Sequence, residues 1–574
     1  MINPVADLRK HVTAAVQRAF PEQPQEDPAV HRSVHADYQA DVALGLGRRL
    51  KKPPREVGTA IAGCFPDGEV AAAPVVSGPG FLNLTLKPAY LSARLHGMLA
   101  DPRLGFPPVA HPEVAVVDYS GPNVAKEMHV GHLRSTIIGD AIARVLAFQG
   151  HRVIRQNHIG DWGTPFGMLI EYLLEQQISP SETSLAGLAA AYRQARGRFD
   201  ADAGFADRAR ARVVLLQAGD ADTRRFWDQL IATSVQHFSK LYELLGVTLG
   251  PADIAGESRY NDSLAALTDE LLARGLARVS EGAVCTFPAG FSGRDGAPVP
   301  LIIRKSDGGY GYAATDLAAL RYRIDVLKAR RLVYVVGAPQ SQHLAMVFAT
   351  AREAGWADDS VQLQHVAFGS VLGADKKMFK SRAGEAVTLS DLLTEGLNRA
   401  EAVIRGRTTE GGAGVPAGVA RMIGIGAIKY ADLLNDRVKD YVFDWDRMLA
   451  FEGNTAPYIM YAHARCRSIL RKAGGYAHRP EAAILVDAAA ERALALELLS
   501  FDAAIERAAE ALQPHRLCQS LHDVAVAFTA FFEHCPVLTA AEPARQSRLA
   551  LCELTSRVLA HGLGLLGIDA PEQM

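Results

Sequence analysis

The stretch from Val114 to Ile154 limits the possible folds of this chain more than any other. Val114-Ala115-Val116-Val117 is a buried-strand pattern, and a turn rich in Gly, Pro and Asn follows it. Leu133, Ile137, Ile138, Ala141, Val145 and Phe148 then recur at helical spacing up to Gly150, and Val153-Ile154 opens a second strand. Strand, loop, helix, strand is the unit of a parallel doubly wound sheet, since parallel neighbours need a crossover and a helix supplies it. Leu301-Ile302-Ile303, Leu332-Val333-Tyr334-Val335-Val336 and Leu363 to Phe368 are further strand candidates. The helical stretch from about Glu171 to Tyr260 reads as an insertion between two halves of the sheet.

The flanks have other patterns. Up to about residue 110, helical stretches accompany a strand-like Phe81-Leu82-Asn83-Leu84-Thr85-Leu86, introduced by Ser77-Gly78-Pro79-Gly80 and closed by Gly105-Phe106-Pro107-Pro108. From about Val415 onward the chain is rich in Ala and Leu with helical periodicity, the pattern of an all-α bundle. The expected division is therefore 1–110, then 111–414 with the helical insertion around 171–260, then 415–574.

Composition excludes several classes. The apolar runs fall well short of the ~18 to 20 residues that span a bilayer, and no membrane association is expected. The N-terminal stretch Met1 to Lys10 lacks the basic, apolar and small-residue succession of an export signal, so the expected location is the cytoplasm. The six cysteines form no Cys-x-x-Cys pair, and no protein-bound metal is expected. A net charge of −2 argues against a protein that coats nucleic acid indiscriminately. A basic run, Arg48-Arg49-Leu50-Lys51-Lys52-Pro53-Pro54-Arg55, reads either as a solvated helix end or as a phosphate-contacting face.

Two segments carry chemistry. Pro122 to His132 lies between strand and helix and contains His129-Val130-Gly131-His132. A glycine there lets a purine and its phosphates approach the backbone, the helix N-terminus offers free N–H groups, and imidazoles can donate to an α-phosphate as charge builds on it. Lys376-Lys377-Met378-Phe379-Lys380-Ser381-Arg382 gathers cations on a loop before the helix start expected at Ser390-Asp391, suited to the outer phosphates of ATP. No Gly-x-x-x-x-Gly-Lys, Gly-x-Gly-x-x-Gly, His-Glu-x-x-His or Gly-x-Ser-x-Gly motif competes.

Together, His129-Val130-Gly131-His132 and Lys377-Met378-Phe379-Lys380-Ser381 resemble the two signature motifs of class I aminoacyl-tRNA synthetases. Asp118 to Lys126, Asn157-His158-Ile159-Gly160-Asp161-Trp162-Gly163, His35 to Ala40 and Phe451 to Tyr458 are similar to the arginine-specific members, so the resemblance covers nearly the whole chain. One departure is Phe379, where the general signature has serine. The resemblance implies an α/β fold: a Rossmann-like parallel-sheet catalytic domain, an α+β N-terminal domain that approaches the tRNA elbow, and an all-α anticodon-binding domain. It implies an arginine–tRNA ligase that forms arginyl-adenylate from arginine and Mg-ATP, needs tRNA even for that step, and acts as a monomer.

It also implies roles. His129 and His132 would stabilise the α-phosphate, Lys377 and Lys380 the outer phosphates, and Lys126 could add or replace a charge; Pro122, Val130, Gly131, His132, Met378 and Ser381 would surround ATP. A guanidinium is planar, permanently charged and forked, so its pocket needs carboxylates and an aromatic face or hydroxyl. Tyr312 and Asp316, four residues apart and on one face if helical, fit that need. Asn123 and Gln340 are proposed for the α-amino and carboxylate groups, and Asp118 either adds negative charge or serves the fold. Arg48, Asn454, Tyr458 and Arg465, with Tyr461 and Arg467, would meet tRNA by stacking and phosphate contact. A small-molecule nucleotidylyltransferase would not need the flanking domains, and a non-catalytic tRNA-binding paralogue would be expected to have lost signature histidines or lysines.

Overall fold

The computed structural model describes residues 3–24, 27–377, 387–408 and 418–574. At its centre β1 (Val114–Asp118) leads through a loop to α1 (Val130–Gln149) and β2 (Arg152–Gln156). A helical excursion that includes α2 (Ala221–Leu245) follows, and then α3 (Tyr312–Asp325), β3 (Arg331–Tyr334), α4 (Ser341–Glu353) and β4 (Gln362–His365). The strands are all parallel, in the order β4-β3-β1-β2. The chain thus leaves β1 on one side and returns on the other, a switch point that opens a crevice at the carboxyl ends of β1 and β3, where such sheets bind ligands.

Side-chain alternation gives the sheet two buried faces. Ala115 and Val117 pack with Leu133 and Ile137 of α1, whereas Val116 packs with Leu317 of α3 and Val347 of α4. α1 is buried on nearly all sides, including Arg134 and Asp140. Arg134 is matched by Asp432 of α5 (Val419–Leu433), Nε to Oδ2 3.0 Å. Removing one partner of such a buried pair costs about 3 to 5 kcal/mol, so the pair pins α5 to α1. α1 stops at Gly150, whose φ of 100° is a left-handed cap that a Cβ would oppose.

Leu301–Arg304 is a strand but lies outside the parallel sheet, which corrects the expectation that it extends that sheet. It pairs antiparallel with Ala283–Thr286, which pairs in turn with Ala277–Ser280. Its alternating burial is the signature of a half-solvated strand rather than of a doubly covered one. The stretch before it is helical, beginning with Thr164–Glu175 and ending with α2.

The N-terminal region is α+β, a four-stranded antiparallel sheet with helices, and its Arg32 and Asp37 face the C-terminal helices. There Arg492 donates Nε to Asp37 Oδ1 at 2.9 Å, and Asp37 also accepts the Leu86 N–H at 2.7 Å. The last third is helical from Ala456–Lys472 to Ala544–Leu565. No helix among the described residues is long and apolar enough to cross a membrane.

Candidate active site

The loop between β1 and α1 ends in an unusual helix cap. His129 is the N-cap of α1, and its Nδ1 accepts the Gly131 N–H at 3.1 Å; the Nδ1 of His132 accepts the His129 N–H at 3.1 Å. The two rings lie 3.9 Å apart, centroid to centroid. Because each Nδ1 receives a proton donor, each neutral imidazole carries its own proton on Nε2. Burial, then the charges of His129 and Lys126, push His132 down to about 3, and the surrounding protein lowers His129 as well. Two uncharged Nε2–H donors at a helix N-terminus suit an anion.

Gly131 has a different reason from the one its sequence context suggests. A Cβ there would stand 2.9 Å from Cε1 of His129, so the glycine makes room for the histidine ring itself. Pro122 is buried, and Val130 points into the core, so Val130 can offer a nucleotide only main chain. Lys126 places its ammonium 4.4 Å from the centroid of the Tyr192 ring, a cation–π contact with the helical insertion.

Lys377 is exposed and ends a tight turn in which its N–H donates to Asp375 Oδ1 at 3.1 Å. Met378, Lys380 and Ser381 lie outside the described residues. Beyond them Thr388 forms a β-bridge with His129, and the Leu389 N–H donates to the Met128 carbonyl at 2.8 Å. The far end of the lysine-bearing loop is therefore anchored on the histidine cap.

Across the crevice the start of α3 carries Tyr312 and Asp316. Asp316 accepts from or faces two histidines: His343 Nε2 is 2.6 Å from its Oδ2, and His158 Nε2 is 3.9 Å from its Oδ1. Tyr312, 71% exposed, lines a cleft of about 560 Å³ together with Trp162, Glu257, Lys305, Arg210 and Thr315. Burial first, and then the charges of Asp161 and Asp316, push Glu257 up to about 8. The buried indole N–H of Trp162 has no partner among the described residues. Carboxylates crowded in this way favour a cationic ligand, whose charge would offset theirs.

Glu257, His158 and His343 were not singled out by sequence reasoning. Glu257 arrives from a short turn that packs on the Asn157-to-Gly163 loop, where Ser258 donates both N–H and Oγ–H to Asp161, at 2.8 and 2.6 Å. The one signal was Gly256 interrupting a helical stretch: a Cβ there would lie 2.2 Å from Asp161 Oδ2.

Asp118 sits at the carboxyl end of β1, but Arg323 of α3 already donates Nη2 to its Oδ2 at 2.7 Å, with Arg323 1% exposed. Its charge is matched within the fold. Asn123 is exposed and lies over Gly160, whose missing Cβ would be 2.3 Å from Asn123 Oδ1. Gln340 is exposed just before α4.

The distant residues divide. Arg48 is exposed in the last turn of the helix Val42–Leu50, where a cation also complements the helix dipole. Asn454 is held by the Tyr430 hydroxyl at 2.6 Å, and the Tyr458 hydroxyl pairs with Thr529 at 3.1 Å. Arg467 is neutralised by Glu572 and Glu553. Arg465, by contrast, lies between the exposed rings of Tyr461 and Phe532, 4.7 and 4.6 Å from their centroids.

Comparison with known proteins agrees over the whole chain. The catalytic domain described as tRNA synthetases class I (R) matches residues 95–445, the DALR anticodon binding domain matches 459–574, and the arginyl tRNA synthetase N terminal domain matches 6–86. The arginine–tRNA ligase of Thermobifida fusca (strain YX) is 52% identical over 578 residues, covering 100% of each chain. The crystal structure of the Plasmodium falciparum arginyl-tRNA synthetase superposes with a TM-score of 0.83 at 29% identity, covering 99% of both chains. That of Thermus thermophilus gives 0.81 at 27% identity, covering 99% of this chain and 100% of the other.

Proposed function

The chain belongs to the class I arginyl-tRNA synthetases, and from that premise we propose how its residues do the work. It is an arginine–tRNA ligase. In the first step a carboxylate oxygen of arginine bonds to the α-phosphorus of ATP, the bond to the bridging oxygen breaks, and pyrophosphate leaves. In the second, a hydroxyl of the terminal ribose of tRNA attacks the arginyl carbonyl and AMP leaves.

In the proposed arrangement the Nε2–H groups of His129 and His132 receive the charge that builds on the α-phosphate. The observation that carries this is the reciprocal cap, which fixes both rings as neutral Nε2–H donors before substrate arrives. Losing one such preorganised donor costs about 3 kcal/mol, on the order of a hundredfold in rate. Lys126, Lys377 and Lys380 supply cations to the outer phosphates, and Pro122, Gly131, Met378 and Ser381 border the nucleotide. Magnesium enters with ATP on its phosphates; among the described residues no cluster of three or more ligating side chains is placed to hold a metal ion.

Tyr312 and Asp316 take the guanidinium, with Glu257 as a further carboxylate, while Asn123 and Gln340 hold the α-amino and carboxylate ends. Asp118 serves chiefly to seat Arg323. The division of labour runs 1–110 for the tRNA elbow through Arg48, 111–414 for chemistry, and 415–574 for the anticodon, where Arg465 leads and Asn454 and Tyr458 support the surface. The enzyme acts in the cytoplasm as a monomer.

The test is exchange of pyrophosphate into ATP by the purified protein, offered each standard amino acid with and without tRNA. Exchange with arginine alone, appearing when tRNA is added, is expected. No exchange under either condition would favour the non-catalytic tRNA-binding alternative.

A further inference from the structure

The loop that carries Asn123, Lys126 and His129 is strained. Ser120, Gly121 and Ala125 all hold φ in the left-handed region, at 74°, 55° and 60°. Glycine takes that conformation freely, whereas serine and alanine are opposed by their own Cβ and persist there only when their surroundings over-determine them.

The surroundings include α1, where Ser135 Oγ accepts the Ser120 N–H and Thr136 donates to Ser120 Oγ, both at 2.9 Å, and one helix of the insertion, which reaches both strained non-glycine residues. Ser234 of α2 donates its hydroxyl to the Leu230 carbonyl at 2.8 Å, and its remaining oxygen lone pair accepts the Ala125 N–H at 3.0 Å. Both residues are almost wholly buried. Two turns further on, the Tyr242 hydroxyl shares a 2.7 Å hydrogen bond with Ser120 Oγ and accepts Asn157 Nδ2–H at 3.0 Å. Asn157 in turn accepts the Gly121 N–H at 3.0 Å. Trp227, on the same stripe of α2, donates its indole N–H to the Asp161 carbonyl at 2.8 Å. A single helix face therefore touches the loops that follow β1 and β2.

α2 is itself fixed from behind. Its last carbonyls are bound by cations from α1 and α5: Arg421 Nη2 to Glu243 O at 2.9 Å, Lys429 Nζ to Leu245 O at 2.8 Å, and Arg144 Nη2 to the following Gly246 O at 2.9 Å. Cations at a helix C-terminus satisfy its free carbonyls and its dipole together.

We infer that Ser234 and Tyr242 are positioning residues for arginine activation, holding the loop of Asn123, Lys126 and His129 in its left-handed path without touching substrate. The inference rests on the activity proposed above. Ser234→Ala and Tyr242→Phe each remove a single oxygen atom. In the full-length enzyme either variant should lower kcat for arginine-dependent pyrophosphate exchange about tenfold or more, since a misplacement of about 1 Å can cost on the order of a hundredfold. A residue that served only stability would lower the melting temperature and leave kcat per folded molecule unchanged. The discriminating variant is Ala125→Gly in the Ser234→Ala background: without the Cβ the left-handed backbone is no longer strained, and most of the lost rate should return. Hydrogen exchange of the amides from 120 to 129, measured without substrates, should be faster in both single variants. Wild-type rates and wild-type amide exchange in both would overturn the inference, as would a loss of rate that Ala125→Gly does not recover. If the wild-type enzyme shows no arginine-dependent exchange, the activity reading fails, and the amide-exchange arm alone decides whether the tie exists.

Discussion

The Cβ that Gly131 lacks would lie 2.9 Å from Cε1 and 3.0 Å from Nδ1 of His129, the ring that caps the same helix. Contacts that close do not occur between real side chains, so Gly131→Ala must turn the imidazole away from its cap. The ring is at the surface, and little folding energy is at stake. The expected outcome is a kcat for arginine activation lowered about a hundredfold, the scale of losing one preorganised donor, with a nearly unchanged melting temperature. An alanine variant with wild-type kcat would mean that the observed ring position is not the one used in the reaction.

Neutral histidines make a second prediction. His132 is pushed down to about 3 by burial and by neighbouring positive charge. The folded protein therefore refuses a proton that the unfolded chain, near the usual histidine value of about 6.5, accepts. Its contribution to stability is complete above pH 6.5 and is lost as pH falls from there toward 3. Nitrogen NMR of labelled histidine should show His132 as the neutral Nε2–H tautomer from pH 8 down to pH 5. A charged ring appearing near pH 6 would contradict the reciprocal cap.

Glu257 predicts a proton count. It is pushed up to about 8 by burial and by the charges of Asp161 and Asp316, so in the free protein at neutral pH it holds its proton. A bound guanidinium favours the ionised carboxylate, so arginine binding should release close to one proton between pH 6 and 7.5, and affinity should rise with pH through that window. Calorimetry in two buffers of different ionisation enthalpy measures the release. Glu257→Gln should abolish it. Asp316→Asn should weaken arginine at least about thirtyfold, the lower range for removing one partner of a charged contact, with ATP binding intact; wild-type arginine affinity would remove Asp316 from the pocket.

The sheet and the histidine loop were legible because their signals are local. Val114 to Val117 and Leu332 to Val335 are continuous apolar runs, as doubly covered parallel strands must be. His129 and His132 are three residues apart, so sequence spacing alone brings them to one helix turn. The N-terminal strands Val30–Arg32, Tyr38–Ala40 and Val75–Ser77 are too short to show periodicity, and two of them include polar His31 and Gln39. Glu257, His158 and His343 meet Asp316 only through tertiary packing of three separate segments, and no spacing rule could have joined them. Asp118 shows a case the sequence left open between added negative charge and a role in the fold, because the buried arginine from α3 that meets its charge lies 205 residues away.

Arg465 predicts where RNA affinity resides in the helical third. Its guanidinium lies 4.7 and 4.6 Å from the ring centroids of Tyr461 and Phe532, and donates to the Tyr461 hydroxyl at 3.0 Å, at an exposed aromatic surface of the sort on which unpaired bases stack. Tyr461→Ala should weaken tRNA binding by about 1 to 3 kcal/mol, and Arg465→Ala by a similar amount. Neither should alter the affinity for ATP or arginine. Filter binding with the cognate tRNA measures the change, and undiminished binding in both variants would move the anticodon contact elsewhere.

The cations that close the end of α2 have a consequence for the making of the chain. Arg421 and Lys429 come 178 and 184 residues after the carbonyls they bind. At about 5 to 20 residues per second, a ribosome spends on the order of ten to forty seconds with α2 already translated and these two side chains not yet assembled into the chain. A product released in that interval has both signature histidines but no Arg421 or Lys429 to seat the helix behind them. Prematurely terminated chains would then fail to consume ATP and arginine, and competence would arrive only when synthesis has passed α5.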